Sequence, residues 1–286
     1  MPSAERRFER LAPLVVALHG CTQTASDFAA GTRFDSVAEL AGAYVVYPEQ
    51  SVGANPNRCW NWFLPEHQGR DAGEPAQIIS LVNDVVARHP IDRARIFVTG
   101  LSAGGALSAI LAEQAPDLFA AVGIVAGVAL HASHDIPSAF AAMRGRVATS
   151  QVSHVPRPSA DYGRVRIAIW TGARDRVVMP QNADVLADQF RTMLGIPGDS
   201  GEPETRDDAE IVRYRDELGR VRIETWHIPS MAHAWSGGSF RGSHTHPKGP
   251  RASDELMAFF LHGSETEAVD PTSPAAAAPS VFCERG

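Results

Sequence analysis

Gly100-Leu101-Ser102-Ala103-Gly104 is the stretch that decides the fold, because it stands between an apolar run and a helical pattern. In G-x-S-x-G the serine occupies a strained strand-to-helix turn, and its Oγ is exposed there. Arg95 to Thr99 predicts a short buried strand before the turn, and Ala103 to Gln114 predicts a helix that is closed by Pro116. The flanks therefore predict a nucleophile elbow at Ser102.

Strand and helix patterns alternate on both sides of this elbow. Apolar runs predict further buried strands at Leu14 to Leu18, Ala43 to Tyr47, Ala120 to Val125 and Val165 to Trp170. Helical spacing of apolar residues predicts helices at Arg33 to Gly42, at Pro75 to Arg88, and in a segment with Val185, Leu186, Phe190 and Leu194 on one face. This alternation predicts a mostly parallel central sheet flanked by helices.

The last third of the chain has a different pattern. Ile211 to Tyr214 and Val221 to His227 alternate around a glycine turn and predict a hairpin. Gly198 to Asp208 is acidic and glycine-rich, which predicts a solvated loop. Ser253 to Phe260 predicts a last helix, with Ser253 as its N-cap.

The chain of 286 residues is interpreted as one domain over residues 1–263. Within it, residues of about 128–163 are irregular and predict either a cap over the site or a surface insertion. Residues 264–286 are rich in Ala, Pro and Ser without periodicity, and they predict a disordered tail.

Composition limits the class of protein. With 44% hydrophobic and 21% charged residues, the chain is typical of a soluble globular protein. A net charge of -7 argues against nucleic acid or an anionic membrane as partner, and no apolar stretch approaches the ~20 residues of a membrane span. The N-terminus shows no apolar signal region, so the chain as written is expected in the cytoplasm. The oligomeric state stays open.

A catalytic triad is the main chemical prediction. A serine hydroxyl needs an imidazole to accept its proton, and that imidazole needs a carboxylate to hold its tautomer. The order serine, acid, histidine of α/β-hydrolases is met by Ser102, then Asp175 directly after a buried strand, then His233 in a loop after the next long strand. The rivals are Asp161 and Asp184 for the acid, and His227, His244 and His246 for the base.

An oxyanion formed at Ser102 needs two N–H donors. The amide of Ala103, directly after the nucleophile, is one candidate, and the amide of Cys21 or Thr22 in the first strand-end loop is the other. Cys21 and Cys59 lie in loops that should reach the same end of the sheet. They are expected there either as a disulfide or as two buried thiols.

The histidine pairs His131/His134 and His244/His246 raise the question of a metal site. Neither pair has carboxylate or cysteine partners at ligand spacing, so no metal is predicted, and no motif calls for a cofactor. The long loop from Glu49 to Gly73 carries the cluster Cys59-Trp60-Asn61-Trp62-Phe63. Its aromatic residues are either a plug that anchors the loop or the wall of a cleft.

Several motifs together resemble one family. They are H-G-C-T-Q at His19 to Gln23, Y-P-E-Q at Tyr47 to Gln50, N-x-C-W-N-W-F at Asn57 to Phe63, G-L-S-A-G-G at Gly100 to Gly105 and H-A-W-S-G-G at His233 to Gly238. From roughly Pro13 to Phe260 the chain resembles the polyhydroxybutyrate depolymerase family of esterases, which adjoins feruloyl and acetylxylan esterases. The resemblance implies an α/β-hydrolase fold with Ser102, Asp175 and His233 as nucleophile, acid and base.

The resemblance also sets expectations for the substrate. It implies a serine esterase acting on 3-hydroxybutyrate-type polyesters, their oligomers or short-chain acyl esters, with Trp60, Trp62 and Trp235 as apolar walls. The alternatives are a feruloyl or acetylxylan esterase and a hydrolase fold kept only as a binding module. Relatives usually have strands before the H-G-C strand and are often secreted, so the sheet is expected to be truncated at its N-terminal edge and the compartment stays open.

Overall fold

A computed structural model describes residues 11–146, 160–163, 165–197 and 200–262. The strands of the main sheet are β1 (Ala12–Leu18), β2 (Tyr44–Val46), β3 (Ile91–Leu101), β4 (Ala121–Val125), β5 (Arg166–Gly172), β6 (Gly201–Arg206), β7 (Ala209–Arg215) and β8 (Val221–Ile228). The helices are α1 (Ala25–Thr32), α2 (Phe34–Ala41), α3 (Gly73–Arg88), α4 (Ala103–Gln114), α5 (Ile136–Met143), α6 (Gln181–Leu194) and α7 (Ala252–His262). A small second sheet pairs β9 (Trp235–Ser236) with β10 (Thr245–His246).

The eight-stranded sheet has the order β2-β1-β3-β4-β5-β8-β7-β6. The strands from β2 to β8 in this order run parallel, whereas β7 is antiparallel to both β8 and β6. The loops that follow β1, β3, β5 and β8 therefore leave the same edge of the sheet. This is the edge where α/β sheets bind ligands.

The core has two layers, one on each face of the sheet. Alternate residues of β1 divide between them, with Leu14, Val16 and Leu18 on one side and Val15 and Ala17 on the other. Helices α3, α4 and α6 cover the first face, and α1, α2 and α7 cover the second. Burial on both faces explains why β1 reads as a continuous apolar run.

The structure corrects two predictions of local structure. Gly201–Arg206 is not a solvated loop but the edge strand β6, in which Glu202 and Glu204 pair with Arg215 and Arg213 of β7. Ser253 is not the N-cap of the last helix, since it lies inside α7. Its Oγ donates to the Thr32 carbonyl at 2.6 Å and accepts from Trp235 Nε1 at 3.1 Å.

Helix α1 was not predicted from the sequence. Thr24 caps it, and the Thr24 Oγ1 accepts a hydrogen bond from the Asp27 amide at 3.1 Å. The helix A-S-D-F-A-A-G-T carries a single large apolar side chain, Phe28, so its periodicity is weak. The helix is instead stabilised by a tertiary contact, in which the Phe28 ring packs edge-on against Trp235.

Part of the predicted cap falls on residues that the structure describes. After β4 the chain is tied to α6, because the Leu130 amide donates to Gln189 Oε1 at 2.9 Å and the Ala129 amide donates to Asn182 Oδ1 at 3.2 Å. The rest of the predicted cap, residues 147–159, and the predicted tail, residues 264–286, lie outside the described residues. No helix in the described ranges is long and apolar enough to cross a membrane.

Candidate active site

Ser102 lies between the end of β3 and the start of α4, with φ 58° and ψ -116°. Such a backbone is costly for any residue other than glycine, and it persists where the surroundings fix it. A Cβ on Gly100 would lie 2.4 Å from the Gly104 carbonyl, and a Cβ on Gly104 would lie 2.2 Å from the Leu18 carbonyl oxygen. Both glycines of the pentapeptide are thus required by close backbone approach, and the nucleophile elbow has the geometry that the sequence predicts.

The loop after β1 lies beside Ser102. A Cβ on Gly20 would lie 3.6 Å from the Ser102 Cβ. The preceding residue, His19, is fully buried, and its Nε2 accepts from the Gln50 amide at 3.0 Å while its carbonyl accepts from Trp60 Nε1 at 2.9 Å. Burial lowers the pKa of His19, which keeps the ring neutral and Nε2 free to accept.

The long loop before α3 is anchored by one buried carboxylate. Glu74 accepts hydrogen bonds from the Asn61 amide at 2.7 Å and from Asn61 Nδ2 at 2.8 Å, and it also accepts from Gln50 Nε2. A disulfide between Cys21 and Cys59 then joins this loop to the loop after β1. Of the two states left open by the sequence, the structure has the bridge.

Asp175 and His233 form a hydrogen-bonded pair. Asp175 is 2% exposed, and its Oδ2 lies 2.7 Å from His233 Nδ1. Its Oδ1 accepts from the amides of Val177 at 2.8 Å and Val178 at 2.9 Å. The carboxylate therefore accepts a hydrogen bond from Nδ1–H, and this tautomer leaves Nε2 as the proton acceptor of the ring.

Backbone hydrogen bonds join the loops that carry these groups. The amide of Arg174 donates to the Met231 carbonyl at 3.0 Å, which ties the Asp175 loop to the His233 loop. The amide of Ser102 donates to the Val125 carbonyl at 2.9 Å, and the amide of Ala126 donates to the Trp170 carbonyl at 2.8 Å. Ser102, Asp175 and His233 thus stand beyond the carboxyl ends of β3, β5 and β8.

The candidate oxyanion donors are reduced to two. The Thr22 amide donates to the Asn57 carbonyl at 2.7 Å, so it is already engaged and is not a free donor for an oxyanion. The Cys21 amide has no hydrogen-bond partner within the described part of the chain. The Ala103 amide opens α4, where first-turn amides lack an intrahelical acceptor.

The other aspartates and histidines considered for the acid and the base lie in different surroundings. Asp184 lies 3.6 Å from His227 on the exposed face of α6. His246 contacts Ser230 Oγ at 3.3 Å. Asp161 belongs to the short helix Ala160–Gly163, which precedes β5 in the chain. The remaining rival, His244, packs its ring against His233 with centroids 6.4 Å apart.

The structure corrects the expectation for the tryptophans. Trp235 is 1% exposed and packs edge-on against Phe28 and Phe34, so it is a core residue and not a wall of the site. Trp60 and Trp62 are 4% and 7% exposed and belong to the core layer beneath the long loop. Their burial favours the anchoring plug over the cleft wall.

The histidines considered for metal binding have protein partners or open surroundings. His131 Nε2 lies 2.7 Å from the buried Glu113 Oε1, and His134 is exposed. Among the described residues, no three His, Cys, Asp or Glu side chains come together as metal ligands. Sequence reasoning missed the roles of Gln50 and Glu74, although Gln50 stands in a quoted motif and Glu74 directly precedes a predicted helix.

Residues 2–212 match the model of a family described as esterase PHB depolymerase. The chain belongs to this family. Its core motifs, the H-G-C-T-Q loop and the G-L-S-A-G-G elbow, lie inside the matched range.

The similar curated proteins include depolymerases and feruloyl esterases. Poly(3-hydroxyalkanoate) depolymerase C of Paucimonas lemoignei is 35% identical over 227 residues, which cover 78% of this chain and 55% of that protein. Feruloyl esterase B of Neurospora crassa is 29% identical over 194 residues, covering 64% of this chain and 65% of that protein. The chain spans about half the length of the curated depolymerases it matches, 55% and 48%.

Solved structures agree on the fold. An acetyl xylan esterase from Aspergillus awamori superposes with a TM-score of 0.67 at 19% identity, covering 87% of this chain and 89% of that one. Arabidopsis thaliana SOBER1 superposes with a TM-score of 0.53 at 14% identity, covering 88% and 99%. The predicted α/β-hydrolase fold, with its mostly parallel sheet flanked by helices, is confirmed.

Proposed function

We propose that this protein is a serine esterase that hydrolyses carboxylic esters through an acyl-enzyme, with Ser102 as nucleophile, His233 as base and Asp175 as acid. The observation that carries the proposal is the 2.7 Å hydrogen bond between Asp175 and His233, in the loops next to the elbow of Ser102. Membership of the esterase PHB depolymerase family supports it.

The chemistry follows from the roles of these groups. Ser102 Oγ attacks the carbonyl carbon while His233 Nε2 takes the hydroxyl proton, and Asp175 stabilises the imidazolium. The amides of Ala103 and Cys21 hold the oxyanion of the tetrahedral intermediate. His233 then returns the proton to the departing alcohol. In the second half of the reaction, water attacks the acyl carbon while His233 takes its proton, and this proton passes to Ser102 Oγ as the carboxylic acid leaves.

Hydroxyalkanoate esters are the preferred substrate class. The family match and the 35% identity to a poly(3-hydroxyalkanoate) depolymerase both favour 3-hydroxybutyrate oligomers and short acyl esters. Feruloyl or acetylxylan esters are the second candidate, because relatives with those names align over about two thirds of this chain.

Hydrolysis of a substrate panel tests the proposal. The panel consists of p-nitrophenyl acyl esters, 3-hydroxybutyrate oligomers and methyl ferulate. We expect Ser102→Ala to lower turnover by about 10⁵-fold or more, as loss of a triad nucleophile does, and Ser80→Ala on the exposed face of α3 to keep full activity. Faster cleavage of methyl ferulate than of the oligomers would select the second candidate. An active Ser102→Ala variant would contradict the mechanism.

A further inference from the structure

Three polar side chains connect two loops of the candidate site. Gln23, which ends the H-G-C-T-Q motif, is 1% exposed, and its Oε1 accepts from the Gly20 amide at 2.9 Å. Its Nε2 donates to Asp27 Oδ2 at 2.9 Å and contacts the Ser243 carbonyl at 3.2 Å. Ser243 in turn donates to Asp27 through its amide at 3.0 Å and its hydroxyl at 2.6 Å. We call Gln23, Asp27 and Ser243 the loop clamp.

Close backbone packing reinforces the loop clamp. A Cβ on Gly242 would lie 2.3 Å from the Asp27 carbonyl oxygen and 2.5 Å from Gly31 Cα. The Ser239 amide donates to the Gly31 carbonyl at 2.7 Å. The segment that follows His233 therefore lies directly on α1, and only glycine at position 242 permits this approach.

Both ends of the loop clamp lead to groups that the proposed reaction uses. On one side, Gly20 lies against Ser102 and precedes Cys21, whose amide is a candidate oxyanion donor. On the other side, Ser243 precedes His244, whose ring packs against the His233 ring. The clamp thus spans the distance between the oxyanion loop and the base.

We propose that Asp27 is a positioning residue that fixes the oxyanion loop relative to the His233 loop. This inference rests on the proposed esterase function. Three donors converge on its two oxygens, and a carboxylate is the side chain of this size that accepts on both atoms. Asp27 touches neither Ser102 nor His233 in any hydrogen bond of the described residues, so it acts through Gln23 and Ser243.

The charge state of Asp27 agrees with this role. Burial opposes ionisation, yet hydrogen bonds from Ser243 and Gln23, together with His244, hold the pKa of Asp27 below its ordinary value. The loop clamp therefore keeps its carboxylate throughout the neutral range.

Exchange of amide and carboxylate tests the loop clamp. In Asp27→Asn an amide group must face one of the three donors, whichever way it turns. We expect kcat to fall by about tenfold to a hundredfold with KM nearly unchanged, because displaced oxyanion donors weaken the transition state. If Asp27→Asn does not fold, Ser243→Ala removes one donor and should lower kcat several-fold.

Asp216→Asn is the matched control. Asp216 also accepts from two backbone amides and an arginine, at the turn before β8 and remote from the carboxyl ends of the strands. A purely structural role for Asp27 would lower the melting temperature of Asp27→Asn and leave kcat and KM as in the wild type, which is the result expected for Asp216→Asn. Wild-type kcat in a folded Asp27→Asn would overturn the proposal.

Hydrogen exchange separates failure of the loop clamp from failure of the proposed function. In Asp27→Asn, amides of residues 19–27 and 237–246 should exchange faster while those of α3 do not change. This readout needs no enzymatic activity. A wild type that cleaves no ester refutes the esterase, whereas unchanged exchange in both segments refutes the clamp.

Discussion

At the scale of single residues, Asp175 determines which nitrogen of His233 accepts a proton. Replacing the carboxylate by an amide removes the acceptor for the Nδ1 proton and favours the wrong tautomer. We predict that Asp175→Asn lowers kcat by about 10⁴-fold with the fold intact, as measured on p-nitrophenyl butyrate and by circular dichroism. Asp184→Asn, on the exposed face of α6, serves as the control and should retain activity. Near-normal turnover of Asp175→Asn would remove Asp175 from the triad.

His131 gives a second prediction at this scale. Its hydrogen bond to Glu113 raises the pKa of His131 above the ordinary value, against the effect of burial. A raised pKa in the folded state stabilises the protein below the unfolded pKa, and this contribution is lost as pH rises through the folded pKa. His131→Gln should therefore cost more unfolding free energy at about pH 5.5 than at about pH 9.

Urea denaturation at both pH values measures this difference. The exposed His134 supplies the control, and His134→Gln should change stability equally little at both. An equal loss of stability for His131→Gln at acid and alkaline pH would show that the Glu113 contact carries no charge-dependent energy.

At the scale of elements, the Cys21–Cys59 disulfide joins the loop after β1 to the long loop before α3. The cysteines are 38 residues apart. Closing a loop of this length in the unfolded chain stabilises the folded state by about 4 kcal/mol in the entropic account. We predict that Cys21→Ser with Cys59→Ser lowers the unfolding free energy by about that amount, and that reductant has no effect on the double variant. Free thiols at both Cys21 and Cys59 in the oxidised protein would contradict the bridge.

The contact between α1 and the segment after His233 is a second test at this scale. Gly242→Ala would force a methyl group against the Asp27 carbonyl and Gly31, and overpacking of this kind costs about 1–3 kcal/mol. We therefore expect a clearly lower melting temperature. Gly69→Ala adds a methyl group where no atom lies within 4 Å, and it should leave the melting temperature nearly unchanged. Equal melting temperatures for both variants would contradict the close packing.

At the scale of the whole molecule, the sequence predicted those features that depend on local pattern. Central strands are buried on both faces, so β1 appears as a nearly unbroken apolar run and β5 contains the apolar run Ile167 to Trp170. The turn at Ser102 has a short sequence motif, G-x-S-x-G, and Asp175 lies in the loop directly after β5. The parallel sheet and the strand-to-helix turn at Ser102 could be predicted for that reason, and so could the position of Asp175 at the end of a strand.

Features that depend on contacts between distant segments could not be predicted in this way. Trp235 is only two positions from His233, yet β9 turns its ring into the core against Phe28. β6 pairs antiparallel with β7, and Glu202 and Glu204 meet arginines there, although the composition of β6 alone resembles a loop. Asp27 and Ser243 are 216 residues apart, and no local spacing indicates that they meet.

The most direct measurement of the central claim is covalent labelling by a fluorophosphonate. Such a probe reacts with a serine that an adjacent base activates, and it leaves unactivated hydroxyls unmodified. We predict one adduct per wild-type chain by intact mass, located on the peptide that contains Ser102, with labelling strongly slowed in Asp175→Asn and absent in Ser102→Ala. No adduct on the folded wild type, or an adduct at another residue, would contradict Ser102 as the nucleophile of a Ser-His-Asp esterase.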